Sequence, residues 1–399
     1  MPPEQDHRAR LQFFLLCCSH FLFACSFNMP IPELPDYLIA LGGRDYLGLI
    51  IALFTLMAGL SRPFSGKLAD TVGRIPVMIY GSAVCVVCSL LYPVLTTVGG
   101  FLFLRFLHGF STGFKPTGAS AYVADIAPPE QRARAMGTLG LSSSLGFSAG
   151  PAAGSYLTDL YGITVMFYLS AFLALVSVII LAGMRETLTQ RQPFRWSLLR
   201  VSRQEIIEPK VIPPSVVTLL LYAGYGAVLT LVPALSRHAG VENKGLFFTF
   251  YTISAVGIRL LAGHAADRYG RVPVLKVAGI LMGISMYMIL SADTRWALLS
   301  AALLYGLSMG LFTPAAAAWA VDLSHPHHRG RALATLFIAM EISIGAGALL
   351  SGWCYARLPQ TGITLTFAIM SGLAFLAFVY LQWGRTPDPL RGKEVKGER

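Results

Sequence analysis

The stretch "GKLADTVGRIPVM", residues 66–78, sets two glycines, an aspartate and an arginine between long apolar runs. Residues 263–275 read "GHAADRYGRVPVL". Gly66/Gly263, Ala69/Ala266, Asp70/Asp267, Gly73/Gly270, Arg74/Arg271, Pro76/Pro273 and Val77/Val274 coincide at one offset, 197 residues from 66 to 263. The same offset carries Arg62 onto Arg259, Asp125 onto Asp322, Pro129 onto Pro326, Arg132 onto Arg329 and Arg134 onto Arg331. Chance would scatter such offsets. A single one marks a duplicated unit, with the polar hairpin written once in each copy.

Composition places those units in a membrane. The chain has 399 residues, 55% hydrophobic and 13% charged, where soluble domains carry roughly 25% charged residues. A bilayer span needs about 20 apolar residues. Such runs fall at 11–32, 46–64, 76–96, 99–123, 135–156, 163–184, 213–236, 245–264, 273–292, 296–321, 332–355 and 363–383. The expected fold is all-α and integral to the membrane, with 12 transmembrane helices in two six-helix bundles. The boundaries read as a first bundle over 1–184, a cytoplasmic linker over 185–212, a second bundle over 213–384 and a cytoplasmic tail over 385–399. Phe194, Trp196, Leu198 and Leu199 beside Arg195, Arg200 and Arg203 give part of the linker an interfacial amphipathic character. Two parallel repeats joined by such a linker follow a transporter plan, in which a substrate site lies between halves that rock about it.

The net charge of +11 is set by topology. With the N-terminus inside, most Lys and Arg fall on cytoplasmic segments, and Arg44, Arg237, Lys244, Arg295 and Arg357 lie opposite. The positive-inside rule then puts both termini in the cytoplasm, and a nucleic-acid partner is not expected. The first apolar run passes into Pro30, Pro32 and Pro35 without a signal-peptide cleavage site. All six cysteines fall within spans, so neither a disulfide framework nor a metal site is expected, although Cys85 and Cys88 have C-x-x-C spacing. "HPHH", with His325, His327 and His328, reads as an interfacial loop ahead of a metal site.

The hairpin resembles the loop signature of the major facilitator superfamily, G-x-L-a-D-r-x-G-r-r-x-x-l, between spans 2 and 3, and the copy sits where the second half would carry it. In span 4, "FLRFLHG" resembles the R-x-x-q-G signature of proton-coupled members, with Arg105 and Gly109 matching and His108 at the usual Gln position. In span 5, Gly137, Gly146, Gly150, Pro151 and Gly154 resemble the signature of drug/proton antiporters, with Ser155 in place of its last glycine. The second half reads Ala334, Ser343, Gly347, Ala348 and Ser351 at the same offset, so that pattern is confined to the first half. The resemblance implies a secondary transporter, not an enzyme, acting by proton-coupled multidrug-type efflux. An importer or uniporter of a polar metabolite is the alternative. It implies a small-molecule substrate, protons and membrane lipid as partners, no cofactor beyond the proton gradient, a monomer, and a bacterial inner membrane location.

Residue by residue, Gly66 and Gly73 supply turn angles, and Pro76 suits a first helical turn. The resemblance implies that Asp70 latches the cytoplasmic side and that Arg74 pairs with Asp125. Asp267, Gly270, Arg271 and Asp322 would mirror this. The bland reading is loop structure and interfacial solvation. Arg62 and Arg259 either join these clusters or snorkel to the interface. Ionisable residues inside spans are costly and face a cavity or a partner. Arg105 with Glu33 is the leading proton-coupled pair. Asp36 is the neighbouring acid, and both acids could equally be loop residues. Lys115 is either a cavity cation or a structural contact, and Glu341 either a protonation site or a packed polar residue. Asn28, His20 and His108 are weaker candidates. Gly146, Gly150, Pro151 and Gly154 read as a ridge for close helix packing with a kink.

Overall fold

The computed structural model describes residues 3–128, 131–199, 207–262, 265–324, 329–358 and 361–383. The described chain is helical, without strands: α1 Pro3–Asn28, α2 Leu34–Ala40, α3 Leu49–Thr71, α4 Arg74–Leu91, α5 Val98–Ile126, α6 Arg132–Tyr161 and α7 Ile163–Ala182, then α8 Ile212–His238, α9 Leu246–Ala262, α10 Ala265–Tyr269, α11 Arg271–Leu290, α12 Arg295–Leu323, α13 Arg329–Arg357 and α14 Gly362–Trp383. Among the described residues, nine of these helices are long and apolar enough to cross a membrane. The other expected spans are α5, which carries Arg105, Lys115 and Asp125, α6, rich in Gly and Ser, and α9, of 17 residues. The chain is an all-α, multi-pass membrane protein of two six-helix bundles.

Two compact units divide the chain, Met1–Gly43 with Leu53–Val201, and Arg44–Ala52 with Ser202–Arg399. In the first, α1 packs on α6 and α7, and α4 on α5 and α7. The α1–α6 contact is made backbone to backbone. A Cβ added to Gly150 would lie 2.6 Å from Cys25 O, and one on Gly146 2.8 Å from Phe21 O. In the second, α8 packs on α13 and α14, α11 on α12 and α14, and α12 on α9. Close approach there is reciprocal: Gly347 of α13 meets the Ala223 backbone, and Gly226 of α8 meets that of Ile344 and Ala348. The duplication reaches the helix ends. Thr97 caps α5 by accepting from Gly100 N at 3.1 Å. Thr294, at the same offset, caps α12 by accepting from Ala297 N at 3.3 Å.

The first hairpin is tighter than the sequence suggested. Helix α3 continues to Thr71 and α4 starts at Arg74. Gly66 is therefore a helical residue with open space beside it, not a turn residue. Gly73 makes the reversal, at φ 141°, and Gly270 repeats it at φ 94°. Backbone in this region favours glycine because a Cβ would clash. Span 1 ends at Asn28, short of the three prolines; Pro30 and Pro32 lie in the turn leading into α2, and Pro35 sits in the first turn of α2.

Candidate functional site

Arg74 organises the first hairpin. Its Nε donates to Asp125 Oδ2 at 3.0 Å, and its Nη1 to Asp70 Oδ1 at 2.5 Å and to Ala69 O at 2.6 Å. Thr187 Oγ1 donates to the same Asp125 oxygen at 2.6 Å. Glu186, beyond the end of α7, accepts from Arg74 N at 3.0 Å and Ile75 N at 2.9 Å. A carboxylate thus covers the N-terminus of α4, where exposed amides and the helix dipole favour negative charge. The sequence reading passed over Glu186, because a residue that caps backbone amides leaves no spacing pattern. In the second hairpin Arg271 Nε donates to Asp322 Oδ2 at 2.9 Å. Arg259 and Arg271 line a small cavity there with Pro314 and Ala318. Arg62 lies half-buried in α3. Asp267 belongs to α10, but its side chain lies outside the described residues, as do Pro129, Pro326, His325, His327 and His328.

Above the hairpin, the first bundle holds a two-tier serine ladder. Ser19 and Ser26 of α1, Ser82 and Ser89 of α4, and Ser170 and Ser177 of α7 are each spaced by seven residues, two helical turns, and all are fully buried. In one tier Ser177 Oγ meets Ser19 Oγ at 2.9 Å and Ser82 Oγ at 3.4 Å. In the other, Ser170 Oγ meets Ser26 Oγ at 3.2 Å and Ser89 Oγ at 3.0 Å. Lys115 of α5 inserts its ammonium into the first tier. It donates to Ser19 O at 3.1 Å, Ser19 Oγ at 2.7 Å and Ser177 Oγ at 2.5 Å, and lies over the Phe23 ring at 5.1 Å. Three acceptors match its three N–H donors. Lys115 is thus an interhelical tie between α1, α5 and α7, where the sequence left a cavity cation and a structural contact open. The heptad repetition of serine on three spans was the signal that could have shown it.

A second set of buried groups runs from Arg105. The guanidinium is 1% exposed and lies over the Phe54 ring at 4.6 Å. One direction of donation satisfies the whole chain of bonds. Arg105 Nη1 donates to Tyr92 Oη at 3.4 Å, Tyr92 to His108 Nδ1 at 3.0 Å, and His108 Nε2 to Cys85 Sγ at 3.2 Å. Cys85 then donates to Ser26 Oγ at 3.2 Å, and Ser26 to Ser170 O at 2.7 Å. Histidine at the usual glutamine position bridges α4 and α5 through Cys85 and Tyr92. Glu33, 3% exposed, follows α1 and accepts from Ser155 Oγ at 2.7 Å. The residue that departs from the span-5 signature therefore holds the acid. Asp36 lies half-buried in the first turn of α2. Asn28 Nδ2 donates to Ala24 O of its own helix at 2.7 Å.

The second bundle presents a row of tyrosine hydroxyls. Tyr222 pairs with Tyr225 at 6.4 Å between ring centroids, Tyr225 with Tyr251 at 6.4 Å, and Tyr251 with Tyr305 at 5.3 Å. Tyr222 Oη meets Thr313 Oγ1 at 3.1 Å. The Tyr305 hydroxyl is buried without a hydrogen-bond partner among the described residues. Glu341 of α13, 7% exposed, lies within electrostatic reach of Tyr222 and Tyr225.

Two duplicated membrane bundles, each with a charged hairpin, follow the plan of a transporter rather than an enzyme. The profile of the Major Facilitator Superfamily matches residues 16–242 and 214–399, and the chain belongs to that family. It is 26% identical over 383 residues to the multidrug resistance protein MdtG of Salmonella typhimurium, covering 90% of this chain and 92% of that one. It is 23% identical over 349 residues to the uncharacterized MFS-type transporter MJ1560 of Methanocaldococcus jannaschii, covering 85% and 90%. Among solved structures, the human organic anion transporter MFSD10 superposes with a TM-score of 0.73 at 19% identity, covering 96% and 100%. A D-xylose–proton symporter superposes at 0.78 and 14%, covering 94% and 98%. As a member of the family, the protein moves a small-molecule substrate.

Proposed function

We propose that the protein is a proton-driven exporter of a small molecule, working by alternating access in a bacterial plasma membrane with both termini in the cytoplasm. The burial of the Arg105 guanidinium in a directed hydrogen-bond chain carries this reading. A charge so placed is expensive unless it is used. Glu33, held by Ser155 at the outer end of span 1, is the acid whose protonation is exchanged against substrate. The hairpins act as cytoplasmic latches, the first through Asp70, Arg74 and Asp125, the second through Asp267, Gly270, Arg271 and Asp322. Glu341 contributes from the second bundle.

Export rather than import is supported by the span-5 glycines of the first half and by relatives named for multidrug resistance. The fold is shared with a symporter and leaves direction to those features. The test uses proteoliposomes with an imposed proton gradient and a compound selected by thermal shift on the purified protein. Gradient-driven movement is expected in the native protein and lost in Arg105→Ala and Glu33→Gln. Undiminished gradient-driven movement in Arg105→Ala removes the coupling role. Accumulation on the side of higher proton concentration supports the antiport direction, and accumulation on the opposite side supports import.

A further inference from the structure

The linker carries a surface that neither the hairpins nor the bundle interior uses. Beyond α7 the chain turns back along the inner end of the first bundle. Gln192 N donates to Thr71 O at 2.9 Å, and Thr71 is the last residue of the membrane span formed by α3. That bond fixes the segment against the end of α3 that carries the hairpin. A single 3-10 turn follows, Trp196–Leu199. Leu198 and Leu199 face inward, against the cluster of Leu68, Ala69, Val77 and Phe114. Phe194 and Trp196 face outward, 48% and 80% exposed, with their rings edge to face at 5.5 Å.

The charge on this surface has one sign. Glu186 is the acid between residues 185 and 199, and its carboxylate is occupied by the backbone amides of Arg74, Ile75, Thr187 and Leu188. Arg191 reaches the Leu188 carbonyl at 3.5 Å. Neither Arg191 nor Arg195 has a carboxylate partner among the described residues. Two arginines beside an outward aromatic pair, held at the hairpin end of α3, match the inner-leaflet interface. Aromatic rings settle at headgroup level there, and basic side chains meet anionic lipid. A soluble anion would satisfy the arginines but offer nothing to the rings.

We propose that the segment from Arg191 to Leu199 is a docking surface for anionic phospholipid of the inner leaflet. Phe194 and Trp196 sit among the headgroups, and Arg191 and Arg195 bind the phosphate-bearing head. The surface ties the linker to the bilayer.

The full-length protein is placed in nanodiscs containing bromine-labelled phosphatidylglycerol or phosphatidylcholine, without a gradient or substrate. The emission of Trp196 is read as the difference between the native protein and Trp196→Phe. Both lipids are expected to quench it, the phosphatidylglycerol roughly tenfold more strongly per mole, and Arg191→Gln with Arg195→Gln should reduce that preference to about twofold or less while quenching persists. Quenching by aqueous iodide but not by bromolipid would place the segment in water and overturn the proposal. Protection from both quenchers would mean a protein cover, with the same result. Equal quenching by the two native samples, or a preference abolished by inorganic phosphate, would remove the lipid headgroup as the ligand. None of these outcomes depends on proton coupling or on the direction of transport.

Discussion

At the offset relating the two halves, Ser19, Ser26, Ser82, Ser89, Ser170 and Ser177 fall on Val216, Ala223, Gly279, Met286, Phe367 and Ala374. Lys115 falls on Phe312, Arg105 on Ala302, and the capping Glu186 on Trp383. The two bundles therefore share a frame and differ in what fills it. Retained in both are the features that shape the frame: the hairpin glycines Gly73 and Gly270, the arginine–aspartate pairs across them, the threonine caps, and the helix contacts at Gly150 and Gly347. The interior has diverged freely, because helix packing accepts either apolar side chains or polar ones whose hydrogen bonds are complete. The first bundle adopted the polar solution and with it a store of buried charge. The second adopted the apolar one, interrupted by tyrosines and Glu341.

The strongest test of the shared frame is overpacking. Gly150→Leu and Gly347→Leu each push a side chain into a facing helix backbone. An overpacked core loses about 1–3 kcal/mol or more, and both variants should give little monodisperse protein in size-exclusion chromatography. Gly137→Leu, in the same signature but with open space beside it, should behave as the native protein. If Gly137→Leu also fails, the signature acts otherwise than through close packing.

Next in size is the cap on α4, where Glu186 has Trp383 as its counterpart at the shared offset. Glu186→Gln should remove about 1–2 kcal/mol of helix-terminus stabilisation, lowering the melting temperature by a few degrees. Trp383→Phe should leave it unchanged. Equal melting of native and Glu186→Gln protein would make the four amide contacts incidental.

The hairpin pairs come third. Asp125 serves both Arg74 and Thr187, whereas the bond observed for Asp322 is to Arg271. Asp125→Asn should therefore slow transport in proteoliposomes more than Asp322→Asn, and Asp70→Asn more than Asp267→Asn. Melting should move little, since exposed ion pairs contribute about 0–1 kcal/mol. Matching transport losses in the two halves would dissolve the asymmetry.

The smallest expected effect is at Ser155. Ser155→Gly restores the family residue but releases Glu33. Transport should fall at saturating substrate and recover in Ser155→Thr, which keeps the hydroxyl. Full activity in Ser155→Gly would show that the bond does not position the acid.

Much of this was legible before any coordinates. The repeated hairpin gave the duplication, apolar run lengths gave the spans, and the family resemblance implied the pairs Arg74–Asp125 and Arg271–Asp322. Two kinds of feature were not. Gly66 resembled a turn residue because glycine is ambiguous between permitting a turn and permitting a contact, and only the path of α3 decides. Glu186 and the serine ladder bind backbone or neutral hydroxyls across helices distant in sequence. Such contacts leave no charge pairing and no run of hydrophobicity to read. The role of Lys115 stayed open in the sequence for the same reason, since its partners are a carbonyl and two hydroxyls.

That lysine has a consequence of a chemical kind. An amine reacts with a water-borne acylating reagent only when the reagent can reach it, and Lys115 is 0% exposed, enclosed by three helices. Lys210, exposed at the entry to α8, should be modified within the ordinary labelling time while Lys115 stays silent in peptide mass spectra. Any condition that draws spans 1, 4 and 6 apart would then announce itself as a new acylated lysine, so the native sequence carries its own reporter for loosening of the first bundle.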